Sequence, residues 1–150
     1  MSVLAKISIE EFSVADAAEL VQLWRESFEF GVGVKDPHPI EEQTKYLLAE
    51  VVPNNAVRVA FLERRMVGFI AASSISISQL YVRIGFHRRG IGSQLLDWAK
   101  AQSGGSLWLY AFSRNATARA FYEQHGFALV AQGHEPSWDL DDIRYEWKSN

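Results

Sequence analysis

The stretch that most constrains how this chain can fold runs from Ile75 to Ser103, where a strand enters a glycine turn with two arginines and then a helix. Ile75-Ser76-Ile77-Ser78-Gln79-Leu80-Tyr81-Val82 alternates apolar and polar residues before turning apolar, as a strand buried on one face does. His87-Arg88-Arg89-Gly90-Ile91-Gly92 is the turn, and Ile91, Leu95, Leu96 and Ala99 recur at helical spacing after it. Glycine at 90 and 92 lets a ligand approach the main chain closely. The first turn of a helix holds unpaired N–H groups and the positive end of the helix dipole. Residues 90–94 are therefore a candidate anion site, with charge added by Arg88 and Arg89. A P-loop is excluded because Ile91-Gly92 stands where Lys-Ser/Thr is needed. A dinucleotide fingerprint would need glycine where Leu95 lies. Taken alone, the loop also fits a plain turn with solvated arginines.

Size and composition narrow the function classes. With 150 residues, 48% hydrophobic and 22% charged, the chain is expected to form one domain over 1–150, burying roughly 70% of the surface its unfolded state exposes. No apolar run reaches the roughly 18 residues of a membrane helix, and no basic region followed by a long apolar one opens the chain. The expectation is a soluble, cytoplasmic protein without membrane partners. The absence of cysteine removes thiolate metal sites and a cysteine acyl carrier. No His/Asp/Glu spacing predicts a metal site. A net charge of −3 argues against nucleic-acid binding.

In chain order, Ile7, Ile9 and Phe12 predict a first strand, and Leu20, Leu23, Trp24 and Phe28 mark a helix over residues 15–28 that Gly31 and Gly33 break. His38-Pro39 opens a second helix that Pro53 ends. Residues 57–62 and 66–72 read as an antiparallel hairpin, continued by the strand at 75–82. After the glycine loop and its helix, the apolar run Leu107 to Phe112 predicts an interior strand covered on both faces, parallel to and beside the strand ending at Val82. Ser113 or Asn115 caps a fourth helix ended by Gly126. A strand at 128–132, an acidic loop over 133–142 and a last strand at 143–147 complete an α/β fold: about seven strands in a twisted mixed sheet flanked by four helices.

The second informative constellation is Asn115-x-x-Ala118-x-x-Phe121-Tyr122-x-x-x-Gly126-Phe127. Its helical spacing puts Asn115, Ala118 and Tyr122 on one face. The crossover brings the starts of both helices to the carboxyl ends of neighbouring strands, where open α/β sheets bind ligands.

With both motifs in view, the chain resembles the GCN5-related N-acetyltransferase (GNAT) superfamily. The family's Gln/Arg-x-x-Gly-x-Gly/Ala motif matches residues 87–92 except at the first place, its later motif matches 115–127 in full, and the order of elements fits throughout. The resemblance implies the GNAT acyl-CoA N-acyltransferase fold and transfer of an acetyl group from acetyl-coenzyme A to a primary amine of a small molecule or peptide. It implies that Leu80, Tyr81 and Val82 pair with the pantetheine arm, with one N–H facing the thioester oxygen. His87, Arg88, Arg89, Gly90, Ile91, Gly92 and Ser93 would wrap the pyrophosphate. Asn115, Ala118 and Phe121 would contact the co-substrate, and Tyr122 would protonate the leaving thiolate. A backbone N–H aimed at a developing oxyanion is worth about 3 to 4 kcal/mol, and a phenol near 10 can donate to a thiolate near 8.5 when held close. With no cysteine carrier, transfer is expected to be direct, within a ternary complex.

The match departs from the family at two places. Many relatives carry a carboxylate at the position of Ser78, and serine alone is no effective base. Glu26, Glu29 and Glu135 are alternatives, His134 is the one histidine considered, and no base is assigned. His38 is set aside as a histidine before proline, and His125 as a helix-end residue. Glu29, Trp138 and Asp139 are candidate acceptor contacts, and a homodimer is allowed. The rival reading is a non-catalytic acyl-CoA-binding sensor or partner-interaction module of the same fold; a weaker one transfers a longer acyl chain. The second departure is His87, which replaces Gln or Arg. Because its expected contribution is its backbone N–H, His87→Gln should leave the coenzyme A dissociation constant within about twofold, measured by calorimetry; a change of about tenfold would show that the imidazole matters.

Overall fold

The structure, a computed structural model, describes residues 6–150. Strand β1 (Ile7–Glu11) leads through a single 3-10 turn (Val14–Asp16) into helix α1 (Ala17–Val32). Helix α1 runs a turn beyond the predicted end and stops at Gly33, whose φ of 80° is the left-handed conformation of a helix cap. Gly31 does not break it. A Cβ there would lie 2.8 Å from Asn115 Nδ2, so the glycine keeps the end of α1 close to the start of the fourth helix.

Helix α2 (40–54) is α-helical over Ile40–Tyr46, π-helical over Leu47–Val51, and α-helical again over Val52–Asn54. Pro53 therefore sits in the last turn rather than after it. A proline ring clashes with the carbonyl four residues back in a regular helix, and the wider π-turn just ahead accommodates it. Then follow β2 (Ala56–Leu62), β3 (Arg65–Ala72), β4 (Ile77–Val82), α3 (Ile91–Gln102), β5 (Ser106–Phe112), α4 (Ala116–Gln124), β6 (Ala128–Glu135) and β7 (Leu140–Lys148). The stretch 133–142 is mostly strand: β6 and β7 extend into it as a hairpin, leaving only 136–139 as the turn.

Strands β1-β2-β3-β4 and β5-β7-β6 form two antiparallel sheets. They meet in parallel only at the bridge between Ser76 and Trp108, where the Trp108 N–H donates to Ile75 O at 3.0 Å. Beyond that point β4 and β5 splay apart. The expected parallel neighbours are thus adjacent at one end only, and β5 is an edge strand. Its Leu107 and Leu109 are buried, but Tyr110 is 57% exposed. Its outer face is covered by the Arg144 guanidinium, 4.5 Å from the Trp108 ring, rather than by a helix.

Side-chain alternation along β3 buries both faces of the first sheet. Phe69 and Ala71 pack with Leu20, Leu23, Trp24 and Leu47 of α1 and α2, while Ile70 and Ala72 pack with Leu95 and Leu96 of α3 and with Leu107 and Leu109 of β5. Gly68 lies beneath the start of α3: a Cβ there would sit 2.9 Å from Tyr81 O, 3.2 Å from Ile91 and 3.3 Å from Leu95. Gly68→Ala should destabilise the fold by about 1–3 kcal/mol through overpacking against backbone, read from the urea midpoint; an unchanged midpoint would show that β4 and α3 can shift freely.

Candidate active site

The splay opens a cleft of about 790 Å³. Ser78, Gln79, Leu80 and Tyr81 form one wall and Leu109 to Phe112 the other, with Asn115, Ala118 and Tyr122 at the α4 end. Helices α1 and α2 contribute Trp24, Phe28, Gln43 and Tyr46, and the β6–β7 turn contributes Trp138.

Backbone alternation fixes what β4 presents to this space. Arg83 N–H donates to Val67 O at 2.8 Å, so residue 83 faces β3, and in an antiparallel ladder Tyr81 then faces β3 as well. The N–H and C=O groups of Leu80 and Val82 point the other way, into the gap. Ser27 of α1 corroborates this, since its hydroxyl donates to Val82 O at 3.1 Å. The edge thus keeps N–H donors directed at the cleft.

At one end of the gap the loop from 83 to 90 turns on three left-handed residues, Gly85 (φ 91°), Arg88 (φ 64°) and Gly90 (φ 79°). Such a conformation strains a side-chain-bearing residue like Arg88. A Cβ at Gly85 or Gly90 would meet nothing within 4 Å, so space is left beside the main chain. His87, Arg88 and Arg89 are exposed, Ile91 is buried as the first core residue of α3, and Arg83 is spent within the fold, its Nε donating to Met66 O at 2.7 Å. The loop is joined to α4: a Cβ at Gly92 would lie 3.2 Å from the Phe121 ring and 3.5 Å from Val82, and Ser93 Oγ lies 3.2 Å from His125 Nε2. Val82, Gly92, Ser93 and Phe121 are therefore contiguous.

Asn115 caps α4, its Oδ1 accepting from Ala118 N at 3.2 Å. Tyr122 is buried, with ring centroids 5.5 Å from Phe127 and 6.2 Å from Tyr145. Burial pushes its phenol far above the ordinary tyrosine range, and the neighbouring Tyr81 phenol adds to the effect. Tyr81 is raised chiefly by the same burial, opposed by a hydrogen bond with Trp24.

Of the expected acceptor contacts, Trp138 lines the cleft, its ring centroid 4.9 Å from Phe28. Glu29 and Asp139 do not. The Glu29 carboxylate accepts from Asp36 N at 2.8 Å, and Asp139, at the hairpin turn, bonds His134 at 2.9 Å. His134 lies outside this cleft, and both its ring nitrogens are engaged, Nδ1 by Asp141 and Nε2 by Asp139, each at 2.9 Å. Glu26 is exposed on α1 and takes a hydrogen bond from Gln22. Sequence reasoning missed Asp36, His38, Glu42, Gln43 and Tyr46, all of which line the cleft. One local signal was available: Asp36-Pro37-His38 allows the Asp carboxylate to accept the N–H two residues on, which it does at 2.9 Å.

The sequence and the fold are matched among known proteins. The Acetyltransferase (GNAT) domain family matches residues 53–129, half of the chain. The chain belongs to the GNAT acetyltransferase family. A relative from Lactobacillus delbrueckii subsp. lactis, named an uncharacterized N-acetyltransferase in the pepI 3′ region, is 24% identical, covering 84% of this chain and 87% of its own. Among solved structures, the PaiA N-acetyltransferase of Thermoplasma acidophilum in complex with coenzyme A aligns with a TM-score of 0.76 at 21% identity, over 95% of this chain and 99% of that one. The apo form of YjaB from Escherichia coli aligns with a TM-score of 0.79 at 21% identity, over 97% and 99%.

The clamp on His134 makes a pH prediction. Hydrogen bonds to Asp141 and then Asp139 raise its pKa above the ordinary 6.5. A raised folded-state pKa means that the contribution to stability is fully present below about pH 6.5 and is lost as pH rises through the folded value. An NMR titration should show His134 titrating above 6.5, with amide exchange in the β6–β7 turn quickening as it deprotonates; a midpoint at or below 6.5 would show that the clamp does not form.

Proposed function

We propose that the protein transfers the acetyl group of acetyl-coenzyme A directly to a primary amine that carries positive charge. The observation that carries this reading is the splayed edge of β4: its Leu80 and Val82 backbone groups face the gap toward β5, Tyr122 lines the cleft there, and the glycine loop follows directly from the end of the strand. The Thermoplasma neighbour of the same fold was solved with coenzyme A, which supports placing the co-substrate here. The open space at Gly85 and Gly90 fits a diphosphate beside the main-chain amides of 87–93, with Arg88 and Arg89 at hand. Asn115, Ala118 and Phe121 would flank the pantetheine arm.

When bound, acetyl-coenzyme A supplies an acyl carbon activated as a thioester. The outward N–H groups of β4 are positioned to stabilise negative charge on its oxygen. Tyr122, kept fully protonated by burial, gives its proton to the departing sulfur, whose own proton affinity rises in the same water-poor surroundings. The acceptor end is acidic and aromatic. Asp36, Glu42, Glu135 and Asp142 line it, and among the described residues no lysine or arginine does. Aromatic faces and carboxylates together attract a cationic amine.

Tyr122→Phe removes the hydroxyl while keeping the ring. It should lower kcat by about 10²–10⁴-fold, with the coenzyme A dissociation constant unchanged, when thiol release is followed over a panel of amines. Coenzyme A binding by the wild type without turnover on any amine would favour the non-catalytic sensor instead.

A further inference from the structure

The acetyltransfer reading leaves one chemical requirement unmet. An alkylamine near pKa 10.4 is only about one part in a thousand neutral near pH 7.5, so a protonated acceptor needs a base. Ser78 lines the cleft where a carboxylate would serve, and a serine hydroxyl cannot take that proton. Resting on that reading, we infer that His38, oriented by Asp36, is the base that deprotonates the acceptor amine.

Three observations converge on this residue. First, His38 lines the same cleft as Ser78, Leu80 and Tyr122, and among the described residues no other histidine does. Second, its ring is held. Asp36 Oδ1 lies 2.7 Å from His38 Nδ1 and also accepts the His38 backbone N–H at 2.9 Å. The Asp36 side chain is only 9% exposed, against 53% for His38. The Asp36 backbone is itself pinned, its N–H donating to Glu29 at 2.8 Å and its carbonyl accepting from Arg25 at 2.7 Å. Third, the tautomer follows from the donor inventory. An ionised carboxylate can only accept, so Nδ1 must carry the hydrogen and Nε2 the free electron pair. The ring stands edge-on to Trp138 at 5.5 Å, part of the wall formed with Phe28 and Phe112.

Of the competing carboxylates, Glu135 is engaged by Trp138 N at 2.8 Å.

The proton balance closes. Nε2 takes one proton from the ammonium, freeing the nitrogen electron pair. That pair forms the new C–N bond while the C–S bond breaks and its electrons go to sulfur. The Tyr122 phenol gives sulfur a proton, the second proton lost by the nitrogen restores the phenol, and the imidazolium releases its proton to solvent through its exposed side. One proton is released for each acetyl group transferred. His38 is thus a catalytic residue and Asp36 a positioning one.

The test compares two acceptors of similar shape: an alkylamine protonated near pH 7.5 and a fluorinated analogue already neutral there. His38→Gln should lower kcat/KM at least about 100-fold for the first and less than about 10-fold for the second. Coenzyme A affinity, measured by calorimetry, should not change. Independently of turnover, ¹⁵N shifts of the His38 ring in the wild type should report the Nδ1–H tautomer, and Asp36→Asn should shift the ring toward Nε2–H. Equal losses on both amines, or Nε2–H in the wild type, would overturn the assignment while leaving acetyl transfer standing. A wild type that binds coenzyme A and acetylates no amine would overturn both.

Discussion

Everything functional in this molecule depends on where two strands stop pairing. Strands β4 and β5 share one bridge, at Ser76 and Trp108, and then diverge. An exposed strand edge normally invites unwanted pairing. Here it is turned inward and roofed by α1, whose Ser27 hydroxyl satisfies one orphan carbonyl. The remaining backbone donors keep their hydrogen-bonding capacity and face a cleft rather than bulk solvent. The two-faced core allows this, because α1 and α2 on one side and α3 and α4 on the other hold the sheets together without a continuous ladder.

The loop that follows β4 and the cleft beside it are built from different materials. One is backbone: glycines, a strained Arg88 and the first turn of α3 offer amides and open space. The other is side chain: aromatic rings and carboxylates gathered from α1, α2 and the β6–β7 turn. Backbone recognition suits an invariant ligand such as a diphosphate, and side-chain recognition can be retuned from one acceptor to another. Glycine close approaches join the two, since Gly31 lets α1 meet Asn115 and Gly92 lets α3 meet Phe121.

The backbone end was largely legible in the sequence, because its signals are local. Glycine spacing, strand alternation before it and helical periodicity after it all lie within one short stretch, and Asn115 to Phe127 is a second one. Errors fell where a residue answers to a distant partner. Gly31 looks like a helix breaker until Asn115 stands against it. The run at Leu107 to Phe112 looks doubly buried until Arg144 is seen covering its outer side. The acidic stretch after Gly133 looks like a loop because charge hides the β pairing of two exposed strands. The place of Trp138 beside His38 was equally hidden, because that contact joins segments far apart in the chain.

The buried phenols of Tyr81 and Tyr122 carry a consequence for the whole molecule. Each holds its proton more tightly in the folded chain than in an unfolded one, chiefly because the surroundings are poor in water. Their contribution is intact below about pH 10 and drains away above it, as the unfolded chain gains by ionising and the native one cannot. The weak point of this fold toward alkali is therefore the pair of phenols sealed along the cleft wall.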